Sequence, residues 1–329
     1  MRILSGIQPT NVVTLGNYLG AMKNFVDMQN KFPDADILIF VADLHSLTVP
    51  RDRLEIKKNI KTLAALYLAI GLDPKRVHLF IQSEVPEHSE LAYVLECNSY
   101  IGEMERMIQF KEKSQKQGEA VTTGLLTYPC LMAADILLYD TNYVPVGEDQ
   151  RQHIEITRTI AERFNNKYGE TFTMPEAYIE KSGARIMSLQ DPEKKMSKSD
   201  PNPKGYITLL DDINEAKNKI RRAVTDSIGI IKYDPINQKG LANLMNIYSL
   251  LANISFKDIE IKYEGKGYQE FKEDLALIVG DELLKIQTKY QEVLSSGQLD
   301  SILDNGRDYA HKLALRKIEK VYHKIGIGR

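Results

Sequence analysis

Arg2-Ile3-Leu4-Ser5-Gly6-Ile7 runs straight into Gln8-Pro9-Thr10-Asn11 and then into a helical pattern from about Gly16 to Phe32. A short apolar run, closed by a proline turn and passing into 3.6-residue periodicity, reads as strand, turn and helix. The pattern recurs outward from there. Ile37-Leu38-Ile39-Phe40-Val41-Ala42 is a continuous apolar run, Asp52 to Ile70 has helical periodicity stopped by Gly71 and Pro74, and Val77 to Ile81 supplies a third strand. Strands alternating with helices over short connections predict an α/β fold: a doubly wound parallel sheet covered on both faces, with ligands at the carboxyl ends of its strands. The turn after the first strand is therefore a candidate site.

Pro86 to Tyr139 is mainly helical, with a break at Gln115-Lys116-Gln117-Gly118 that predicts a loop between helices. Tyr143-Val144-Pro145-Val146 and Arg185-Ile186-Met187-Ser188-Leu189 are expected as two further strands, and a lysine-rich, proline-bounded segment follows from Asp191 to Pro203. From Asp211 to Ile325 the chain has helical periodicity with long charged faces, which predicts an all-helical second domain. The expected division is residues 1–190 for the sheet domain with its helical insertion, and 191–329 for the lysine-rich loop and the helices. A length of 329 residues fits two domains at roughly 150 residues each.

With 43% hydrophobic and 27% charged residues, and no apolar run near the ~18 residues of a membrane span, the composition is that of a globular chain that does not span a membrane. No apolar signal core follows Met1, so the expected compartment is the cytoplasm. Cys97 and Cys130 lack any ligand or disulfide spacing, and no protein-held metal is expected. A net charge of −2 means that any nucleic-acid partner is held by local patches.

The sharpest motif is Lys195-Met196-Ser197-Lys198-Ser199. Two ammonium groups with hydroxyls between them can close over a triphosphate and neutralise charge as pyrophosphate departs, which suits adenylyl transfer; a solvated charge run is the competing reading. Thr14-Leu15-Gly16-Asn17 stands where the first strand gives way to the first helix. Gly16 leaves room for a nucleotide against the backbone, and Asn17 with the helix N-terminus offers donors to a phosphate, although an ordinary helix start with a packing glycine has the same pattern.

Taken together, Ser5-Gly6-Ile7-Gln8-Pro9, Thr14-Leu15-Gly16-Asn17, Gly124-Leu125-Leu126-Thr127-Tyr128-Pro129, Leu131 through Tyr139, Gly147-Glu148-Asp149-Gln150, Gly183 through Leu189 and Lys195 through Ser199 resemble the bacterial tryptophanyl-tRNA synthetases, a class I family. The resemblance runs along essentially the whole chain. It implies a Rossmann-type catalytic domain, ATP with Mg2+ as a substrate complex, L-tryptophan and tRNA(Trp) as partners, and a homodimer. Thr14 and Asn17 stand where class I enzymes more often carry histidines, as they do in the tryptophan branch, so hydroxyl and amide replace imidazole beside the catalytic Lys195 and Lys198. Leu4 departs from relatives that place Phe against the substrate.

An indole offers one N–H donor and otherwise a large apolar surface, so its pocket needs one acceptor. By resemblance Asp135 accepts that N–H and Met132, three residues earlier on a helix expected to begin after Pro129, packs on the ring. Val144 and Val146, two apart on a strand, line the other side. Tyr128 and Gln150 are matched to the ammonium and carboxylate of the amino acid, with Leu4, Gly6 and His45 bordering the site; a histidine where His45 stands is more often a turn residue than a ligand. For ATP the match assigns Gln8, Pro9, Thr10, Gly16, Asn17, Lys113, Gly147, Glu148, Asp149, Ile186 and Lys195 through Ser199, and Lys113 reads equally as an exposed helical lysine. Lys217, Lys219, Arg221 and Arg222 are candidates for RNA phosphates or for a plain surface helix. The rival readings are a tyrosyl-tRNA synthetase, a paralogue that has lost tRNA charging, and a small-molecule adenylyltransferase.

Overall fold

The strand–turn–helix unit forms as read: β1 (Arg2–Ile7) is followed by α1 (Leu15–Asn17), a π-turn (Tyr18–Met22) and α2 (Lys23–Lys31). The computed structural model of the protein describes residues 1–9, 12–49, 52–117, 120–147, 150–179 and 185–329. Thr14 caps α1 by accepting from the Asn17 N–H, while the Asn17 side chain accepts from the Thr14 N–H, so the two residues lock the helix start reciprocally. Next come β2 (Asp36–Val41), α3 (Arg53–Ala69, capped by Asp52) and β3 (Val77–Ile81). β4 (Tyr143–Pro145) and β5 (Glu176–Tyr178) complete a parallel sheet of order β3-β2-β1-β4-β5. The order reverses between β1 and β4, which is where such sheets open a crevice.

Alternating residues of the strands feed opposite faces. Ile3, Ile37, Ile39 and Leu79 enter one apolar cluster with α1, α2 and α3, while Leu4, Leu38, Phe40 and Phe80 enter a second. The second is covered by α4 (Glu87–Glu96), α7 (Thr123–Leu137) and α8 (Arg151–Tyr168). α5 (Ile101–Glu105) and α6 (Ile108–Gln117) lie between α4 and α7. Residues after 205 form α9 (Ile213–Arg221), α10 (Lys239–Ala252), α11 (Phe256–Lys262), α12 (Tyr268–Ser295) and α13 (Leu299–Ile325).

α13 turns back to the sheet. At Gly306 a Cβ would lie 1.9 Å from the Leu79 carbonyl oxygen and 2.9 Å from the Leu79 nitrogen, so the helix backbone rests against the outer edge of β3. Leu303 joins the first cluster and Ala310 the second, as expected of a helix that crosses that edge.

The structure differs from the sequence reading at four points. Arg185–Leu189 is not a strand of the sheet: Met187 pairs with Lys195 in an antiparallel bridge, making this segment one arm of a hairpin. β5, the strand that occupies the sheet's other edge, was not anticipated, because Glu176-Ala177-Tyr178 is too short to carry a pattern. Finally, α7 begins at Thr123 under a Thr122 cap, with Pro129 inside the helix rather than before it. The Gln115–Gly118 break also shifts, since α6 runs to Gln117, and Gly118 lies outside the described residues. Among the described residues no helix is long and apolar enough to cross a membrane.

Candidate active site

A cavity of about 400 Å³ opens at the carboxyl ends of β1 and β4, within the roughly 300–1,000 Å³ common for small-molecule sites. β1 contributes Leu4, Gly6 and the following Gln8; β4 contributes Val144, with Val146 and Gly147 just beyond it. From the helical side come His45, Tyr128, Met132, Asp135 and Gln150. All nine residues matched to the amino acid therefore meet in one space. Gly20 and Ala21 of the π-turn, Asn24 and Gln109 line it as well, without having been anticipated. At Gly6 a Cβ would sit 2.9 Å from both the Phe40 ring and its carbonyl oxygen, so glycine is required for β1 to pass there.

Asp135 is the polar centre. It is 2% exposed and accepts three hydrogen bonds: from Gln82 Nε2 (2.7 Å) and His88 Nδ1 (2.6 Å) on Oδ1, and from His45 Nε2 (2.8 Å) on Oδ2. Burial pushes its carboxyl up, but the neighbouring His45 and His88, acting through charge and hydrogen bonding, leave it below the usual carboxylate range. An ionised carboxylate has about four acceptor positions, and three are filled. What remains is one acceptor site on Oδ2 amid apolar walls, a match for a flat aromatic side chain carrying a single donor. The Tyr128 hydroxyl is 2.5 Å from His153 Nε2, and burial raises its pKa, so it stays a neutral phenol. His45 sits in the 3-10 turn Leu44–Thr48 and lies edge-on to Tyr128 with ring centroids 6.3 Å apart, so the turn residue is also a wall of the site.

Of the residues matched to the nucleotide, Gln8 and Gly147 line this cavity, and Gly16, Ile186 and Met196 pack together. A Cβ on Gly16 would meet Met196 Cβ at 3.2 Å and Ile186 Cβ at 3.5 Å, so this glycine lets the helix start approach the lysine-rich hairpin. The hairpin closes through Met196 N–H to the Ile186 carbonyl (3.0 Å) and Ser188 N–H to the Lys194 carbonyl (2.8 Å). Met196 is buried at 3% exposure and anchors the motif, whereas Lys195 is exposed and Lys198 half-buried. Ser197 and Ser199 share a hydrogen bond of 2.8 Å. Lys194 pairs with Asp191 at 2.7 Å, whereas among the described residues neither Lys195 nor Lys198 has a carboxylate partner. Their charges are available to an anionic ligand. Asn17 is exposed at the helix start, and Pro9 is buried in the turn. Lys113 lies over the Tyr128 ring at 5.3 Å and donates to Gln109 (3.3 Å), placing it beside the cavity mouth. Thr10, Glu148 and Asp149 lie outside the described residues.

A family model described as tRNA synthetases class I (W and Y) matches residues 1–283. The tryptophan–tRNA ligase of Bacillus subtilis is 58% identical over 327 residues, covering 99% of this chain and 98% of its own. The chain belongs to the bacterial tryptophanyl-tRNA synthetases. Among solved structures, the tryptophanyl-tRNA synthetase of Mycoplasma pneumoniae superposes with a TM-score of 0.91 at 38% identity, covering 99% of this chain and 98% of that one. The Campylobacter jejuni enzyme, solved with ADP and tryptophan, gives 0.82 at 38% identity over 99% of this chain and 100% of that one.

Two features of the synthetase could not be read from its sequence. Gln82 and His88 reach Asp135 from 53 and 47 residues away. Asn243 of α10 is buried and grips the Met187 peptide from both sides, its Oδ1 accepting from Met187 N–H (2.8 Å) and its Nδ2 donating to the Met187 carbonyl (2.9 Å). Because Met187 is the bridge partner of Lys195, this clamp sets the position of the lysine hairpin. Replacing Asn243 by alanine leaves both peptide groups without that partner. It is expected to lower kcat of amino-acid activation by about tenfold with little change in KM for the amino acid, measured by pyrophosphate exchange.

The basic stretch on α9 is mostly spoken for. Lys219 is 8% exposed and pairs with Asp211 (2.8 Å), Arg221 pairs with Glu273 (2.9 Å), and the Lys217 stem packs on α12 at Gly280. Of the four, Arg222 is exposed, while Lys219 and Arg221 already have carboxylate partners within the protein.

Proposed function

We propose that this aminoacyl-tRNA ligase activates L-tryptophan with ATP and then transfers it to tRNA(Trp). The observation that carries the reading is Asp135, a buried carboxylate with one unfilled acceptor position at the wall of an apolar cavity. Tryptophan satisfies that position with its indole N–H. Phenylalanine would leave it desolvated and unpaired, at a cost of roughly 1–3 kcal/mol or more for a charged group. Val144, Val146 and Met132 sandwich the ring, Leu4 forms one wall, and Tyr128 and Gln150 orient the ammonium and carboxylate.

In the first step an oxygen of the tryptophan carboxylate attacks the α-phosphorus, the bond to the β-phosphate oxygen breaks, and pyrophosphate leaves. No side-chain nucleophile is needed, so positioning and charge neutralisation supply the rate. Gln8, Pro9, Thr10, Gly16, Asn17, Gly147, Glu148, Asp149, Ile186 and Met196 are assigned to the nucleotide, and Lys113, Lys195 and Lys198 to its phosphates. Magnesium enters as part of the ATP substrate, held by phosphate oxygens and water. In the second step a terminal ribose hydroxyl of the tRNA attacks the carbonyl carbon of the adenylate and AMP departs. Within residues 191–329, the helices that follow the lysine motif are assigned to the tRNA and its anticodon, and the working form is proposed to be a cytoplasmic homodimer. The decisive experiment is pyrophosphate exchange with each of the twenty amino acids in turn. Tryptophan alone is expected to support it, and equal turnover with tyrosine would overturn the reading.

A further inference from the structure

The acceptor in the cavity wall is shaped from behind, by groups that no substrate can touch. Gln82, His88 and Tyr139 are each 0% exposed and none lines the cavity. Their hydrogen-bond directions follow from their partners. Gln82 Oε1 accepts the Leu44 N–H at 3.1 Å, so its Nε2 faces Asp135 as a donor. His88 Nδ1 meets a carboxylate oxygen at 2.6 Å and must carry a hydrogen. The Tyr139 hydroxyl, 2.8 Å from His88 Nε2, holds the far side of the ring and so keeps Nδ1 turned toward Asp135. Burial and the charges of Asp135 and Glu87 hold the Tyr139 phenol well above its ordinary pKa, so its hydrogen is retained. Phe40 and Phe80 pack beside the His88 ring at centroid distances of 5.9 and 6.0 Å and restrain its rotation.

We propose that His88, set by Tyr139 and assisted by Gln82, is a positioning and specificity-determining residue. By filling Oδ1 of Asp135 it turns the one remaining acceptor position, on Oδ2, toward the amino-acid side chain and demands an N–H there. The inference rests on the tryptophan reading above. It differs from the role of His45, which also bonds Asp135 but stands in the cavity wall.

The test is a cycle between protein and substrate. Pyrophosphate exchange is measured with L-tryptophan and with L-3-(benzothiophen-3-yl)alanine, which keeps the ring shape but has sulfur in place of N–H. Wild type is expected to prefer tryptophan. His88→Leu is expected to raise KM for tryptophan by about 10- to 100-fold with little change in kcat, as loss of a charge-assisted hydrogen bond should, and to leave the sulfur analogue nearly unaffected. His88→Asn, whose amide can donate near the Nδ1 position, is expected to restore most of the loss. Tyr139→Phe, which removes one oxygen, is expected to show the same pattern more weakly and serves if His88→Leu fails to fold. Equal losses on both substrates, or none on either, would overturn the role of His88. A wild type that does not distinguish the two amino acids would overturn the tryptophan reading itself, and the inference with it.

Discussion

Replacing Lys195 or Lys198 by alanine is expected to slow tryptophan-dependent exchange of pyrophosphate into ATP by about ten- to a thousandfold, the range for losing one charge contact that strengthens in the transition state. The hairpin explains why these two lysines and not their neighbour. Met196 is buried against Gly16 and Ile186, so the motif is pinned at its centre while Lys195 and Lys198 extend from either side. Lys194 is already paired with Asp191 and is exposed, so Lys194→Ala is expected to change the rate by less than about threefold, a typical consequence for a surface ion pair. The loss should fall on kcat and leave KM for tryptophan nearly constant, because that cavity is walled by other residues. Unaltered exchange in both single variants would remove the hairpin from the chemistry.

The second large effect is expected at Asp135. Asp135→Ala strands three buried donors on Gln82, His45 and His88, and breaking a buried polar centre by removing one partner costs about 3–5 kcal/mol. Its melting temperature should fall accordingly. Asp135→Asn keeps the shape but turns one acceptor oxygen into a donor that must face an existing N–H or the indole, so tryptophan affinity is expected to drop at least about a hundredfold in a protein that still folds. The chain contains no tryptophan, so the fluorescence of added L-tryptophan reports binding directly. Equal affinity in wild type and Asp135→Asn would exclude the carboxylate from indole recognition.

Much of the catalytic half was legible because strands β1 to β3 are covered on both faces and so stand out as apolar runs: β1 spans Arg2–Ile7 and β3 Val77–Ile81, the residues expected. β5 gave no such signal, being three residues with Glu176 exposed at its start. Pro129 misled in a physical way. Proline favours the first turn of a helix, but Thr122 had already started α7 and the ring sits one and a half turns further in. The amino-acid cavity was legible only through the family blocks, which name its walls but not what stands behind them. Gln82 directly follows β3 and His88 lies near the start of α4, with nothing in the local sequence to mark either, and only the folded chain brings them to Asp135. For the α9 cations, Glu215 at i−4 from Lys219 follows from helical spacing, but Asp211 and Glu273, 8 and 52 positions from the cations they pair with, do not.

The close approach of Gly306 to Leu79 also bears on how the enzyme is made. During synthesis the outermost strand emerges more than 200 residues before the helix that shields its free edge, so early in elongation its unpaired peptide groups are open to strand addition by another nascent chain. A ribosome that stalls short of α13 would therefore release a product prone to aggregate, and the last step of folding must wait until the final helix has left the exit tunnel.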